Sequence, residues 1–395
     1  MGDGFEAYDQ LRPNGPLPEI WIDDDSWVEA DLPRRPWVAP RYALRGSVTV
    51  IAGPPSAMKS SLMLAWAIAV ALRQPHGKFR PTGEGGVVVY DTEDDQTEQR
   101  RRLSSALRQF DATPKDISNK IIRTGPANGL GVLFARDEQT RQLHSTPAMA
   151  ALREILVERR PVLLIADPLA ELHAEDENDN IALRAVIAEF RSLAAEFNLA
   201  VILVHHTRKG AVTPGDPDVA RGASAIIGAA RIVLTLATMS EQDAESFGMP
   251  TDRKNREAYV RLDDAKQNYA DIGDAVWYEK ATYKLDNDEL VVAAVPWKSP
   301  ELWDGISSAK ANRILDDIEA GIDGGKHRYS DASAATFRAA WQVVQRHIPT
   351  FNERQARKII HTWIQNGSLF REQYRDDSTR KNVVGLYVNN AKRPS

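Results

Sequence analysis

Gly53-Pro54-Pro55-Ser56-Ala57-Met58-Lys59-Ser60 is the stretch whose reading decides the fold. An apolar run at 48–52 leads into it, and an apolar run of helical length at 62–72 leads away, with the helix expected to begin near Ser61. A loop between a strand and a helix N-terminus wraps phosphate with backbone N–H groups, and the helix dipole favours the anion. In that pattern Gly53 to Ser61 cradle a nucleotide such as ATP, Lys59 reaches the β- and γ-phosphates, and the Ser60 hydroxyl binds Mg²⁺. Met58 stands where the pattern has glycine, so the loop loses freedom at positive φ and a side chain must turn away from the phosphates. A degenerate loop that binds nucleotide poorly is the competing reading.

Working outward, short runs rich in Val, Ile and Leu recur at 87–90, 162–166, 200–204 and 232–236. None alternates with polar residues, which is how strands buried on both faces of a parallel sheet read. Leu183, Val186, Phe190, Leu193 and Phe197 fall three and four apart, one face of a helix that Asn178 or Asp179 can cap and Asn198 can end. Strands alternating with helices predict an α/β domain with a mainly parallel sheet.

Three of these strands end in polar chemistry. Run 87–90 ends in Tyr90-Asp91-Thr92-Glu93-Asp94, and a carboxylate at that edge can orient and deprotonate an attacking water. Glu93 is assigned this part, with Asp91 and Asp94 as solvent-facing or capping residues. The next run ends in Asp167, placed to hold Mg²⁺ through water. The third runs into His205-His206-Thr207-Arg208-Lys209-Gly210, where a polar residue can sense the γ-phosphate. With no cysteine and no third histidine nearby in sequence, the histidine pair does not read as a zinc site. The loop that Arg208 and Lys209 open, running to about Gly222, suits contact with nucleic acid; a plain surface loop is the alternative.

The chain has no cysteine, which excludes disulfides, thiolate metal sites and cysteine nucleophiles. Its first residues are acidic and lack the basic start and apolar core of a signal peptide. Its longest apolar run, 62–72, is too short to span a bilayer. A cytoplasmic protein without membrane contact is expected. Residues 1–45, rich in Pro and Asp with Trp21, Trp27 and Trp37, show no period and read as an extended arm. Net charge is −5, yet from residue 301 onward 15 Lys and Arg face 11 Asp and Glu, which suits a polyanion.

Pro296 and Pro300 predict a linker around 295–302. Beyond it helices are expected at 310–320, 332–347 and 352–366, followed by strands at 369–374 and 383–388 around a turn at 375–381. Helices followed by a hairpin predict a small winged-helix-like domain over 303–395, with the core domain at 46–295. Asn352 to Ile364 resembles the second helix of a helix-turn-helix, with Ile359, Ile360 and Trp363 inward. Arg354, Arg357, Lys358, Arg380 and Lys381 are then placed to meet DNA phosphates, single-stranded or duplex. Protein docking is the alternative for such a module.

From Gly46 to Lys280 the chain resembles the RepA-type hexameric helicases of broad-host-range plasmids, within the wider RecA-like P-loop ATPases. The strings that carry the resemblance are 90–94 with Arg102-Leu103, Asp167-Pro168-Leu169 ahead of 172–178, and 205–210. Further along come Arg221-Gly222-Ala223-Ser224, Arg231, and Lys266-Gln267-Asn268-Tyr269. The resemblance implies Lys59 and Ser60 on phosphate and Mg²⁺, Glu93 as catalytic carboxylate, Asp167 beside the metal and His206 as γ-phosphate sensor. It implies that Arg231 is an arginine finger for the neighbouring subunit's ATP, that Lys266 also reaches across that interface, and that the assembly is a ring, commonly of six, around single-stranded DNA. The implied activity is an ATP-driven DNA translocase in replication of a plasmid, phage or other mobile element. A regulatory or recombination-type DNA-binding ATPase is the alternative. The plasmid helicases do not suggest the appended C-terminal domain.

Overall fold

A computed structural model describes residues 27–137, 139, 143–174, 179–207, 228–300, 306–376 and 380–394. The chain divides into two units, Met1–Pro36 and Trp37–Ser395. In the first, Glu29–Asp31 forms a single 3₁₀ turn.

The second unit opens with a hairpin, β1 (Trp37–Ala39) and β2 (Ala43–Leu44), then β3 (Val48–Gly53), α1 (Lys59–Leu72), β4 (Val87–Asp91), α2 (Gln96–Leu107) and β5 (Ile121–Thr124). A small hairpin, β6 (Phe134–Arg136) and β7 (Leu143–Ser145), precedes α3 (Pro147–Arg159), β8 (Leu163–Asp167), α4 (Asn180–Glu196), β9 (Ala200–His206) and β10 (Ile232–Thr238). Then follow α5 (Glu241–Phe247), α6 (Arg253–Arg256), β11 (Tyr259–Gln267), β12 (Val276–Lys284) and β13 (Leu290–Trp297). The last group is α7 (Ser308–Ala320), α8 (Ala340–His347), α9 (Glu353–Gln365), β14 (Leu369–Asp376) and β15 (Lys381–Val388).

Nine strands form one sheet in the order β13-β12-β11-β10-β3-β9-β8-β4-β5. The six from β10 to β5 are parallel, and β11 to β13 extend one side antiparallel. This is the α/β architecture with a mainly parallel sheet that the apolar runs predict. Successive residues of the central strands supply the two faces: Ile51, Val87 and Val89 join one hydrophobic cluster, Val50, Val88 and Tyr90 the other. The first cluster holds α1, apolar on every side and buried from Leu62 to Ala71, as a helix at the centre of a core must be. In α4, Asp179 caps the N-terminus by accepting from the N–H groups of Ile181 and Ala182. Among the described residues no helix is long and apolar enough to cross a membrane.

Several boundaries differ from expectation. The arm ends sooner than the expected residue 45, because β1 and β2 belong to the compact unit, with Val38, Tyr42 and Leu44 buried. Their alternation is too short to show a period. The linker begins later than Pro296, because Pro296 lies in β13 opposite Tyr278. As an edge strand, β13 tolerates a residue with no N–H to donate. Trp297 then packs with Phe247, Tyr259 and Trp277. The helix expected at 332–347 starts only at Ala340, and the last hairpin is longer than expected, its strands continuing to Asp376 and from Lys381. In this last group α7, α8, α9 and the hairpin enclose a separate hydrophobic cluster that includes Ile314, Val343, Ile359, Ile360 and Trp363.

Candidate nucleotide site

β3 brings Gly53 to the C-terminal edge of the sheet. A Cβ there would meet the Leu236 carbonyl oxygen at 2.8 Å, so the close approach of β10 requires glycine. The Gly53 carbonyl accepts from the Thr207 N–H at 3.0 Å and from Lys59 Nζ at 2.8 Å, and Lys59 also donates to the Pro54 carbonyl at 2.8 Å. Ala57 N–H donates to the Pro54 carbonyl, closing a turn over 54–57. Ser56 and Met58 have φ of 64° and 61°. This left-handed conformation costs a residue with a side chain about 1–2 kcal/mol. Met58, the departure from the expected glycine, is 9% exposed and buried among the apolar residues of α1. Its side chain thus takes the core side of the loop.

Lys59 is almost fully buried, and burial pulls its ammonium down to about 8 against the opposing pull of Asp167 and Glu93. Asp167 ends β8 in register with Asp91. Burial pushes its carboxyl up to about 7, a hydrogen bond from Ser60 opposing the shift. Its Oδ1 is buried without a hydrogen-bond partner. A hydroxyl beside a carboxylate with one orphaned buried oxygen fits a divalent cation of the Mg²⁺ kind, so Ser60 and Asp167 stand together as the sequence places them.

The three carboxylates at the end of β4 separate by geometry. Asp91 is buried, and its Oδ1 accepts from the N–H groups of Glu93 and Asp94, both at 3.0 Å. Asp94 pairs with Arg102 at 2.9 Å. Glu93 is left facing a cleft of 600 Å³ that is also lined by the loop, Ser60 and His206. His206 Nε2 lies 3.6 Å from Glu93 Oε1, too long for a hydrogen bond between them. His205, its neighbour, is buried on the strand, and burial lowers it to about 4. The cleft has further walls that the sequence reading does not assign: Arg101 of α2, Lys280 of β12, and Leu290 and Val292 of β13. Nothing local marks them; Lys280 comes more than 200 residues after the loop.

Arg231 and Lys266 lie elsewhere. Ile232 pairs with Thr49, so Arg231 is level with the start of β3, about 16 Å along the sheet from Gly53 at ~3.3 Å per residue. Lys266 sits beside it opposite Val233, and its Nζ donates to the Ala230 carbonyl. Arg231 is exposed. The two basic residues therefore share the edge of the sheet opposite the phosphate loop.

Arg208, Lys209, residues 210–227 and residues 175–178 lie outside the described residues. Of the basic residues in the C-terminal group, Arg354 pairs with Glu245 at 3.3 Å, and Arg357 pairs with Glu353 at 2.7 Å and lies over Trp341. Asn352 caps α9 and donates to the Glu245 carbonyl at 2.7 Å. The N-terminus of α9 thus meets α5 of the core, where a Cβ on Gly248 would come within 2.5 Å of Gln355. Lys358 is exposed, and Arg380 and Lys381 stand at the turn of the last hairpin.

The fold and the loop together define a P-loop ATPase with the α/β core that the resemblance implies. Residues 15–212, half of the chain, match the family described as an AAA domain, and the chain belongs to that family. Among solved structures it is similar to a DnaB-like replicative helicase, described with its interactions with primase, at 15% identity over 60% of this chain and 57% of that one, TM-score 0.41. It is also similar to the RadB recombinase, at 14% identity over 61% of this chain and 89% of that one, TM-score 0.37. The chain thus spans 57% of the helicase chain's length.

Proposed function

We propose that the protein is an ATP-hydrolysing, oligomeric DNA translocase acting on single-stranded DNA, a replicative helicase of a plasmid, phage or other mobile element. The observation that supports this best is the separation of the assigned residues into two groups at opposite edges of one sheet. Lys59, Ser60, Glu93, Asp167 and His206 meet at one edge, and Arg231 and Lys266 at the other. A chain so built completes its site only against a neighbour, as a closed ring of six subunits would allow.

In this reading Ser60 and Asp167 hold Mg²⁺, which adds positive charge at the phosphate oxygens when bound. Lys59 exchanges its loop carbonyls for phosphate oxygens. Glu93 accepts the proton of the attacking water, and His206, close to Glu93 and at the head of 207–227, passes the state of the site to that loop. Arg208 and Lys209 of the same loop meet DNA. The test is ATP hydrolysis with and without single-stranded DNA, alongside native mass. Stimulation by DNA in a multimer is expected; a monomer indifferent to DNA would overturn the reading.

A regulatory ATPase that binds duplex DNA without unwinding it is favoured by one observation, the exposed Lys358, Arg380 and Lys381 on a helix and hairpin of winged-helix-like order. Forked-duplex unwinding separates the two readings. In either, removal of residues from about 303 onward should leave an ATPase but weaken duplex binding and flatten its salt dependence. Every DNA phosphate left without its cation lowers the slope of log K against log salt by about 0.9. The exposed ion pairs of Arg354 and Arg357 are weak enough to yield to phosphate. An unchanged slope would make the group a protein-docking module.

A further inference from the structure

The phosphate loop turns left-handed at two residues that are not glycine. In the turn over 54–57, Pro55 takes the second place and Ser56 the third, where a turn of positive φ normally has glycine. Something must hold Ser56 there. Lys59 fixes the Gly53 and Pro54 carbonyls, and the buried Met58 side chain fixes the end of the loop. Between these supports, the Ser56 carbonyl accepts a hydrogen bond from Lys280 Nζ at 2.9 Å.

Lys280 is well placed to act as a fixed strut. Its strand is paired on both sides, to β11 and β13, and its own backbone N–H donates to the Ala258 carbonyl at 2.8 Å. Its side chain lines the cleft with the loop. Burial lowers its ammonium from the ordinary value, and Glu257 opposes that shift. A charged donor on a neutral carbonyl is the stronger kind of hydrogen bond, which suits holding a backbone against its preference.

We infer that Lys280 is a positioning residue of the nucleotide site, which keeps Ser56 left-handed and so preserves the phosphate-cradling shape of a loop that lacks glycine at its turns. This rests on the nucleotide reading of the cleft. It accounts for how the departure at Met58 and the serine at 56 coexist with a wrapped loop: tertiary contacts supply the constraint that glycine would make unnecessary.

The experiment is a double-mutant cycle between Lys280→Met, which keeps the aliphatic stem, and Ser56→Gly, which removes the conformational strain. The readouts are the Kd of a fluorescent ADP analogue with Mg²⁺, and KM and kcat for ATP. Lys280→Met should weaken ADP binding and raise KM about tenfold, the size of one left-handed residue's preference, with kcat nearly unchanged. Lys280→Arg should retain most of the affinity. In the Ser56→Gly background the effect of Lys280→Met should shrink to about twofold, because glycine no longer needs holding. An equal loss in both backgrounds, or no loss in either, overturns the role given to Lys280. Failure of the parent protein to bind the analogue would instead overturn the nucleotide reading itself.

Discussion

Arg231→Ala should bind ATP almost as the parent protein does and hydrolyse it about 10³–10⁵ times more slowly, the range set by arginine fingers in well-studied NTPases. The expectation follows from position. Arg231 lies before β10, level with the start of β3 and on the opposite edge of the sheet from Lys59. Within one chain its guanidinium cannot reach a phosphate held at Gly53–Ser60; in the proposed ring it would meet the loop of a second copy. Lys59→Ala should also be inactive, for a defect on the other side of the same interface. Mixed with subunit exchange, the two inactive variants should regain hydrolysis wherever an Arg231→Ala subunit offers its loop to an intact Arg231. Hydrolysis is the measurement to make, because it would register each restored interface by itself, whereas unwinding would depend on the whole of the proposed ring. If subunits demonstrably mix and no activity returns, Arg231 is a structural arginine or acts within its own chain.

Glu93→Gln should stop turnover and leave ATP bound. A positioned general base contributes about 10²–10⁴ in rate, while an uncharged amide of the same shape does not disturb the phosphate contacts of Lys59 and Ser60. The neighbouring carboxylates cannot substitute. Asp91 is occupied in holding the turn, with two N–H groups on its Oδ1, and Asp94 is paired with Arg102. Single-turnover kinetics with a bound-nucleotide assay separate this outcome from a binding defect. Normal hydrolysis by Glu93→Gln would move the base elsewhere in the cleft.

How much of this was legible in the sequence depended on how local the signal was. The five apolar runs of the central parallel sheet could be read because both of their faces are buried, so composition alone marks them. β5 could not: it is a four-residue edge strand, half-buried, with Arg123 in it. β11 to β13 carry polar residues on an open side, and their pairing is set by tertiary contacts. At the site, Lys59, Ser60 and Asp167 stand in short motifs and the structure brings them together. Glu93 is preferred over its neighbours from the motif alone, and the fold adds a reason the sequence could not carry: Asp91 and Asp94 are already bonded. Lys280 had no motif at all. Its position opposite Ser56 comes from strand pairing more than 200 residues downstream, which no local pattern encodes.

The joint between α5 and α9 bears on how the molecule comes apart. The hydrophobic cluster around Trp363 is separate from those on the two faces of the main sheet. What joins α9 to α5 is polar: the exposed pair Glu245 and Arg354, the Asn352 bond to the Glu245 carbonyl, and the buried Gln355 against Gly248. Exposed ion pairs contribute only about 0–1 kcal/mol, so little cooperativity passes through this contact. Heat or denaturant can then melt the last three helices and their hairpin while the sheet and its phosphate loop remain folded. For such a chain a single midpoint of unfolding averages two events, and a destabilising change near Trp363 need not be felt at Lys59.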